Sequence, residues 1–255
     1  MTNIKWLILY IIKFLYLLLG LGWNSFYTLV LNRQERKNSF NHIKNLKHKT
    51  NFWALNKGHT MLDFLKKNGL KANSSFLDFG CGYGRVGIPL IKYLDTEKYV
   101  GLDLSHQRIR LAREYILEEG VTNKNYDFHV SLNKSLKELL GNKKFDFILL
   151  YSVICHNPLQ EAKNILKELK PFMNKDGKLL FDYQNANENN KNDYFTSILG
   201  FKIKYSVKDY RFYDYEIENI LLELGYRFEV LEDFENYSDN KVPNPYRKML
   251  MLSCK

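Results

Sequence analysis

The feature that most constrains the fold is a glycine-rich segment that follows an apolar run. Residues 76–84 read FLDFGCGYG, with glycines at positions 80, 82 and 84. Glycine tolerates a positive φ angle and lets a ligand approach the main chain closely. The segment therefore predicts a buried strand, a tight turn and a helix that begins near Arg85. The first turn of such a helix would offer free N–H groups to a ligand.

Two acidic residues narrow the class of ligand. Residues 82–87 also match GxGxxG, a weak signal of a dinucleotide site when it stands alone. Asp78 ends the predicted strand, where its carboxylate would repel a pyrophosphate but would suit a ligand carrying an ammonium and a sulfonium. Asp103 ends the next predicted strand, in reach of ribose hydroxyls, and serves either class of ligand. A purely structural turn with capping acids is the remaining alternative.

The rest of the chain alternates short β-rich runs with helical patterns. Five strands with helical crossovers imply a parallel sheet covered by helices on both faces. Residues 226–232 and 247–253 are typical of an antiparallel hairpin at the edge of that sheet. The five strands are predicted at 75–79, 99–103, 126–130, 145–151 and 178–182, and the helices at 84–94, 106–119, 132–140, 159–169 and 215–224.

These motifs resemble the class I S-adenosylmethionine-dependent methyltransferases. Residues 76–84 resemble motif I of that family. FDFILLYSVICHNP at 145–158 is similar to the fourth-strand segment of its small-molecule and quinone-biosynthesis type, and residues 166–181 resemble the turn into strand five. The resemblance implies an α/β, Rossmann-like fold with a seven-stranded, mostly parallel sheet and a reversed last strand. It also implies S-adenosyl-L-methionine as the cofactor.

The resemblance assigns roles to individual residues. Asp78, Gly80 and Gly82 would frame the methionine moiety, and Asp103 would bind the ribose hydroxyls. Leu104 would lie against the adenine, and Ser131 stands where the family often has an acidic residue followed by a small one. The predicted cofactor-binding residues are Asp78, Gly80, Cys81, Gly82, Tyr83, Gly84, Asp103, Leu104, Ser131, Tyr151 and Ser152.

One histidine is a candidate catalytic residue. Methyl transfer from a sulfonium depends on positioning and exclusion of water, so at most one general base is useful. His156 follows the fourth strand and is that candidate, with shaping of the pocket or capping of the next helix as the alternative. The segment CHNPL at 155–159 lacks the second proline and the aromatic of NPPY-type motifs, which disfavours methylation of a nucleic-acid base. The acceptor is expected under the aromatic-rich region 183–213.

The N-terminal part of the chain is apolar and then basic. Residues 14–31 form an uncharged run of 18, slightly short of a hydrocarbon core about 30 Å thick. Lys13, Gly20, Asn24 and Thr28 fall on one helical stripe, which equally suits a helix lying in the membrane interface. The predicted organisation is a hydrophobic, membrane-associated helix at 1–32, a basic connector at 33–50 and a methyltransferase domain at 51–255. A helix packed on the domain or in a dimer is the alternative.

The distribution of charge points to the same end of the chain. Residues 1–75 hold twelve Lys and Arg against Glu35 and Asp63, while residues 76–255 hold 26 basic and 26 acidic residues. On charge alone, anionic lipid headgroups and nucleic acid are both candidate partners. The adjoining apolar helix favours lipid, on the cytoplasmic face of a membrane, with a cytoplasmic protein expected if the helix packs on the domain. The three scattered cysteines indicate neither disulfides nor a metal site. The sequence predicts a methyltransferase for a small, lipid-soluble acceptor; a tethered non-catalytic cofactor-binding module and an RNA-modifying methyltransferase are the alternatives.

Overall fold

The structure is a computed structural model. It describes residues 51–187, 195–198, 201–204, 210–232, 234 and 247–254, together with 8, 11, 12, 14, 15, 18–20, 23, 24 and 26–28. Residues 51–57, 195–198 and 201–204 are described for their backbone alone. The predicted basic connector at 33–50 lies outside the described residues.

The predicted helices and strands occur in the predicted order, with one further helix before the first strand and three further strands between the fifth strand and the last helix. The helices are α1 (Asn51–Lys67), α2 (Gly87–Tyr93), α3 (His106–Glu118), α4 (Leu136–Leu140), α5 (Leu159–Leu169) and α6 (Asp214–Glu223). The strands are β1 (Phe76–Phe79), β2 (Tyr99–Asp103), β3 (Asp127–Val130), β4 (Phe145–Leu150), β5 (Met173–Asn185), β6 (Phe195–Ile198), β7 (Phe201–Lys204), β8 (Arg211–Phe212), β9 (Tyr226–Val230) and β10 (Arg247–Cys254). Short 3₁₀ helices, Ile154–His156 and Lys170–Phe172, follow β4 and α5.

The main sheet has the predicted mixed topology. Within the described chain, seven of its strands follow the order β3-β2-β1-β4-β5-β10-β9, and the two-residue β8 pairs with β5 as an eighth. Strands β1 to β5 pair in parallel, whereas β10 is antiparallel to both β5 and β9. The Rossmann-like sheet with a reversed C-terminal hairpin is thereby confirmed. Because β1 lies between β2 and β4, the carboxyl ends of these three strands meet at one edge.

Both faces of the sheet are buried. Phe76 and Leu77, neighbours in β1, are both fully buried and belong to opposite cores. Phe76 shares its core with residues of α1, α2 and α3, and Leu77 shares the other with residues of α4, α5 and α6. Each such side chain contributes about 1.5–3 kcal/mol of hydrophobic free energy. A strand buried on both faces accounts for the continuous apolar run in the sequence.

Two element boundaries differ from the predicted ones for local reasons. The helix expected to begin near Arg85 begins at Gly87, because Gly84 still has a φ angle of +78° and its N–H donates to the Cys81 carbonyl. The helix predicted at 132–140 begins at Leu136 instead. There Ser135 and Glu138 form a capping box that sets the N-terminus of α4.

The apolar N-terminal run is divided by a turn. The described residues from Ile8 to Leu18 and from Trp23 to Thr28 are helical, whereas Leu19 and Gly20 form a turn. The N–H of Leu19 donates to the Leu15 carbonyl at 2.9 Å, and Gly20 then takes a φ angle of +67°. A left-handed glycine of this kind commonly ends a helix. Among the residues that are described, no helix is both long and apolar enough to cross a membrane.

Candidate active site

The glycine turn after β1 is held against the end of β2. The N–H groups of Gly80 and Cys81 both donate to the Leu102 carbonyl, at 2.7 and 2.9 Å. The N–H of Gly82 donates to Oδ2 of Asp103 at 3.0 Å. These three donors therefore bond within the protein and hold the turn in place.

The glycines of the turn meet two different requirements. A Cβ atom on Gly80 would lie 2.4 Å from Cγ2 of Val153, so the turn packs directly on the segment after β4. A Cβ atom on Gly82 would meet nothing within 4 Å, and its φ angle is +56°. Gly80 is thus required by close packing. Gly82 is required by its conformation and borders open space in which a ligand has room.

Asp78 lies beneath the turn, and its pKa is raised above the ordinary value of an aspartate. Its side chain is 3% exposed, and the hydroxyl of Tyr99 donates to Oδ2 at 2.8 Å. Burial raises the pKa of Asp78 to about 7, and the neighbouring Asp103 carboxylate also raises it; the Tyr99 hydrogen bond and the Arg85 guanidinium oppose this shift. Asp78 is therefore partly protonated near neutral pH. A cation bound beside it would draw it towards the carboxylate form.

Asp103 joins the carboxyl ends of three strands. Besides the Gly82 N–H, it accepts the N–H of Ser105 on Oδ1 at 2.8 Å, and its carbonyl accepts the N–H of Ser131 at 2.9 Å. Burial raises its pKa, an effect that Arg108 opposes. A carboxylate has about four acceptor positions, and the backbone groups of Gly82, Ser105 and Leu104 all act on this one, so acceptor capacity remains for a hydroxyl donor of a ligand. Leu104 and Ser131, the predicted adenine contacts, are both half-buried; Leu104 follows Asp103 in the chain, and Ser131 is bonded to it through the backbone.

Two further residues of the turn have clear roles in packing. Burial raises the pKa of the Cys81 thiol well above its ordinary value, so the thiol remains protonated and is not a nucleophile. The ring of Tyr83 is half-buried, and the Arg108 guanidinium lies 5.3 Å from its centroid. Tyr83 thereby links the turn to α3.

A closed hydrogen-bond network fixes the segment after β4. Ser152 has a φ angle of +59°, a left-handed conformation that is costly for a residue other than glycine. Its N–H donates to Oδ1 of Asp182 at 2.6 Å, and its Oγ accepts from Nη2 of Arg247 at 2.6 Å. Nε of Arg247 donates to Oδ2 of Asp182, also at 2.6 Å. The guanidinium also lies 4.5 Å from the ring centroid of Tyr151, and that of Arg85 lies 5.3 Å from it.

Asp182 and Arg247 are site residues that the sequence analysis missed. They lie 65 positions apart, and no spacing motif connects them. One signal was available for Asp182, because it ends the predicted fifth strand just as Asp78 and Asp103 end theirs. Arg247 begins β10, which runs antiparallel, so its first residue reaches the same edge of the sheet.

His156 ends the 3₁₀ helix after β4 and is covered by aromatic residues. The ring of Tyr27 stacks on its imidazole with centroids 5.8 Å apart. The backbone N–H of Tyr210 donates to the carbonyl of Cys155, the preceding residue. Pro158 is the N-cap residue of α5, so His156 does not occupy the capping position. The aromatic-rich region 183–213, under which the acceptor is expected, lies largely outside the residues whose side chains are described, apart from its two ends.

The comparisons with known proteins identify the family. The model of a methyltransferase domain matches residues 70–224, and the chain belongs to this family, which uses S-adenosylmethionine. The magnesium protoporphyrin IX methyltransferase of Synechocystis, solved with bound S-adenosylmethionine, is 19% identical with a TM-score of 0.53, covering 78% of this chain and 80% of that one. A Clostridium acetobutylicum S-adenosylmethionine-dependent methyltransferase is 16% identical (TM-score 0.56; 86% and 99% covered). The plantazolicin methyltransferase, solved with S-adenosylhomocysteine, is 16% identical (TM-score 0.55; 87% and 91% covered).

The pKa of Asp78 makes cofactor affinity depend on pH. An ammonium bound beside Asp78 favours the carboxylate, so binding below about pH 7 releases a proton and tightens as the pH rises. We expect the dissociation constant of S-adenosylhomocysteine to fall roughly five- to tenfold between about pH 6 and pH 8 by calorimetry. Asp78→Asn should bind more weakly and show no such change. The same pH dependence in both proteins would contradict the assignment.

The buried ion pair between Asp182 and Arg247 predicts a large effect of Asp182→Asn. Asp182 is 1% exposed and Arg247 13% exposed, so the substitution leaves a buried guanidinium without its counter-charge. We expect a loss of about 3–5 kcal/mol in the free energy of unfolding, measured in urea, and weaker binding of S-adenosylhomocysteine. Asp127→Asn is the matched control. It removes the partner of Lys143 in an ion pair whose two side chains are about half exposed, and it should cost about 1 kcal/mol or less with unchanged cofactor affinity.

Proposed function

We propose that this protein transfers the methyl group of S-adenosylmethionine to a small, lipid-soluble acceptor at a membrane surface. The observation that carries the chemistry is the convergence of the glycine turn, Asp78, Asp103 and His156 at the edge where β1, β2 and β4 end. A crevice outside the carboxyl ends of parallel strands is where α/β sheets bind their ligands.

The residues at this edge fit the cofactor. The open space at Gly82 admits the methionine moiety, Asp78 complements its ammonium, and Asp103 keeps free lone pairs for the ribose hydroxyls. Leu104 and Ser131 are assigned to the adenine, and Tyr151 and Ser152 to the wall beside the methyl donor. The bound cofactor supplies an electrophilic methyl group on a sulfonium.

The side chains of the site need to contribute little to catalysis beyond positioning. Attack on a sulfonium methyl neutralises charge, so alignment of the acceptor and exclusion of water provide most of the acceleration. We assign the single general-base role to His156, which accepts the proton of an acceptor hydroxyl, thiol or amine. In the structure the Tyr27 ring stacks on this imidazole at an interplanar angle of 23°.

Two observations support a lipid-soluble acceptor met at a membrane. The described side chains between Ile8 and Leu19 include large apolar groups exposed to solvent, and six Lys and Arg against one Glu follow at 33–50. Exposed apolar groups beside cations favour an anionic bilayer. Among the similar structures, the magnesium protoporphyrin IX and plantazolicin methyltransferases carry the names of small molecules.

The proposal is tested by following a labelled methyl group. The full chain is incubated with methyl-labelled S-adenosylmethionine and a membrane lipid extract, and label is counted in the organic phase. We expect protein-dependent label there, reduced about 10²- to 10⁴-fold by His156→Ala and unchanged by His106→Ala, which alters an exposed histidine at the start of α3.

Two outcomes would contradict this function. Label found in added RNA and not in the lipid phase would indicate the RNA-modifying activity. Binding of S-adenosylhomocysteine without transfer to lipid, RNA or protein fractions would indicate a non-catalytic module.

A further inference from the structure

The described N-terminal residues divide into an exposed part and a buried part. Six side chains, together called the apolar surface, are between 46% and 71% exposed: Ile8, Ile11, Phe14, Leu15, Leu18 and Leu19. By contrast, Trp23, Phe26 and Thr28 are at most 6% exposed. The turn at Gly20 separates the two parts. A Cβ atom there would meet nothing within 4 Å, so the turn is not packed against the domain.

The buried part covers the candidate general base. The rings of Tyr27 and His156 stack with centroids 5.8 Å apart, and Trp23 stacks in turn on Tyr27 at 6.1 Å. Trp23 also meets Tyr210 edge-on at 5.8 Å, and the Tyr210 N–H is bonded to the Cys155 carbonyl beside His156. Trp23, Tyr27 and Tyr210, here called the aromatic wall, therefore lie over the segment after β4, where the acceptor must approach.

The chemistry of the apolar surface matches one kind of partner. Large aliphatic and aromatic groups are exposed on it, and the following stretch 33–50 is strongly basic. An amphipathic segment with these properties lies in the headgroup region of an anionic bilayer, where apolar burial and headgroup charge both favour binding. A second copy of this chain offers no complementary negative charge at the same end.

We propose that the apolar surface seats in an anionic bilayer and that this contact draws the aromatic wall away from His156, opening the active site to an acceptor dissolved in the lipid. The proposal rests on the proposed function, because His156 defines the site that opens. Trp23 follows Leu19 by only four positions, so a displacement of the apolar surface is transmitted to the aromatic wall. A bilayer shifts the equilibrium because it binds the open form more tightly. Away from lipid, the wall excludes water from the site.

Accessibility of His156 reports the opening without knowledge of the acceptor. The full chain is treated with diethyl pyrocarbonate, and modification of each histidine is followed by mass spectrometry. Vesicles of phosphatidylglycerol and phosphatidylcholine should raise the rate at His156 at least about fivefold, as expected for an ordinary coupling free energy between two sites. Vesicles of phosphatidylcholine alone should have little effect. The exposed His106 is the internal reference, and its rate should not change.

Matched variants test the apolar surface and the aromatic wall independently of each other. Phe14→Ser/Leu18→Ser/Leu19→Ser should abolish both vesicle flotation and the increase at His156. The control Leu117→Ser/Leu222→Ser/Val230→Ser changes three apolar residues elsewhere that are 44–59% exposed and should behave as wild type. Tyr27→Ala should raise the rate at His156 without vesicles, whereas Tyr27→Phe keeps the stacked ring and should not. Unchanged affinity for S-adenosylhomocysteine confirms that each variant is folded.

The outcomes distinguish this proposal from the function on which it rests. Flotation with an unchanged rate at His156 would overturn the coupling and leave membrane association standing. Absence of flotation would overturn both, while methyl transfer to an extracted acceptor would still support the enzyme. If the Phe14, Leu18 and Leu19 substitutions converted a dimer to a monomer and wild type did not float, the apolar surface would be a contact between copies and the proposal would be wrong.

Discussion

The hydrogen bond between the Gly82 N–H and the Asp103 carboxylate connects the parts of the site. It ties the turn after β1 to the end of β2, and the second oxygen of the same carboxylate anchors the start of α3 through Ser105. One buried side chain thereby sets the shape of the glycine turn and the position of a helix. The same carboxylate is the group that we propose for the ribose hydroxyls, so one side chain would both shape the turn and hold part of the cofactor.

The structure changes what Asp78 does. Judged from the sequence alone, Asp78 is a fixed negative charge that selects a cationic ligand. Burial beneath the turn makes that charge conditional, because it raises the pKa to about 7 against the opposing effect of the Tyr99 hydrogen bond and so leaves the carboxyl partly protonated. The ligand's own positive charge then completes the ionisation. An anion would hold Asp78 in its neutral form, so at neutral pH the carboxyl discriminates against pyrophosphate less strongly than a fixed negative charge would.

The predictable parts of this fold are those encoded locally. The strand before Gly80, the acids that end β1 and β2, and the reversed hairpin all follow from patterns within a few residues. The network of Ser152, Asp182 and Arg247 does not, because it depends on the register of β10 against β5 across 65 positions of sequence. The left-handed conformation of Ser152 could not be predicted either, because serine usually avoids this conformation and the sequence around it gives no sign of it.

The N-terminal run shows the same limit. Its composition indicates a hydrophobic helix, but a single glycine, Gly20, sets where the described helical residues turn. The burial of Trp23 and Phe26 against the exposure of Leu18 and Leu19 is a tertiary effect. Periodicity assigns polar residues to one stripe of a helix. It does not reveal which of the apolar residues pack against the domain and which stay exposed.

The most direct test of the central claim is a calorimetric titration of the full chain with S-adenosylhomocysteine and, separately, with NADH. The account predicts saturable binding of S-adenosylhomocysteine, weakened at least about tenfold by Asp103→Ala, which removes charged hydrogen bonds worth about 1.5–3 kcal/mol each. It predicts no measurable binding of NADH. Binding of NADH in the absence of S-adenosylhomocysteine binding would contradict it.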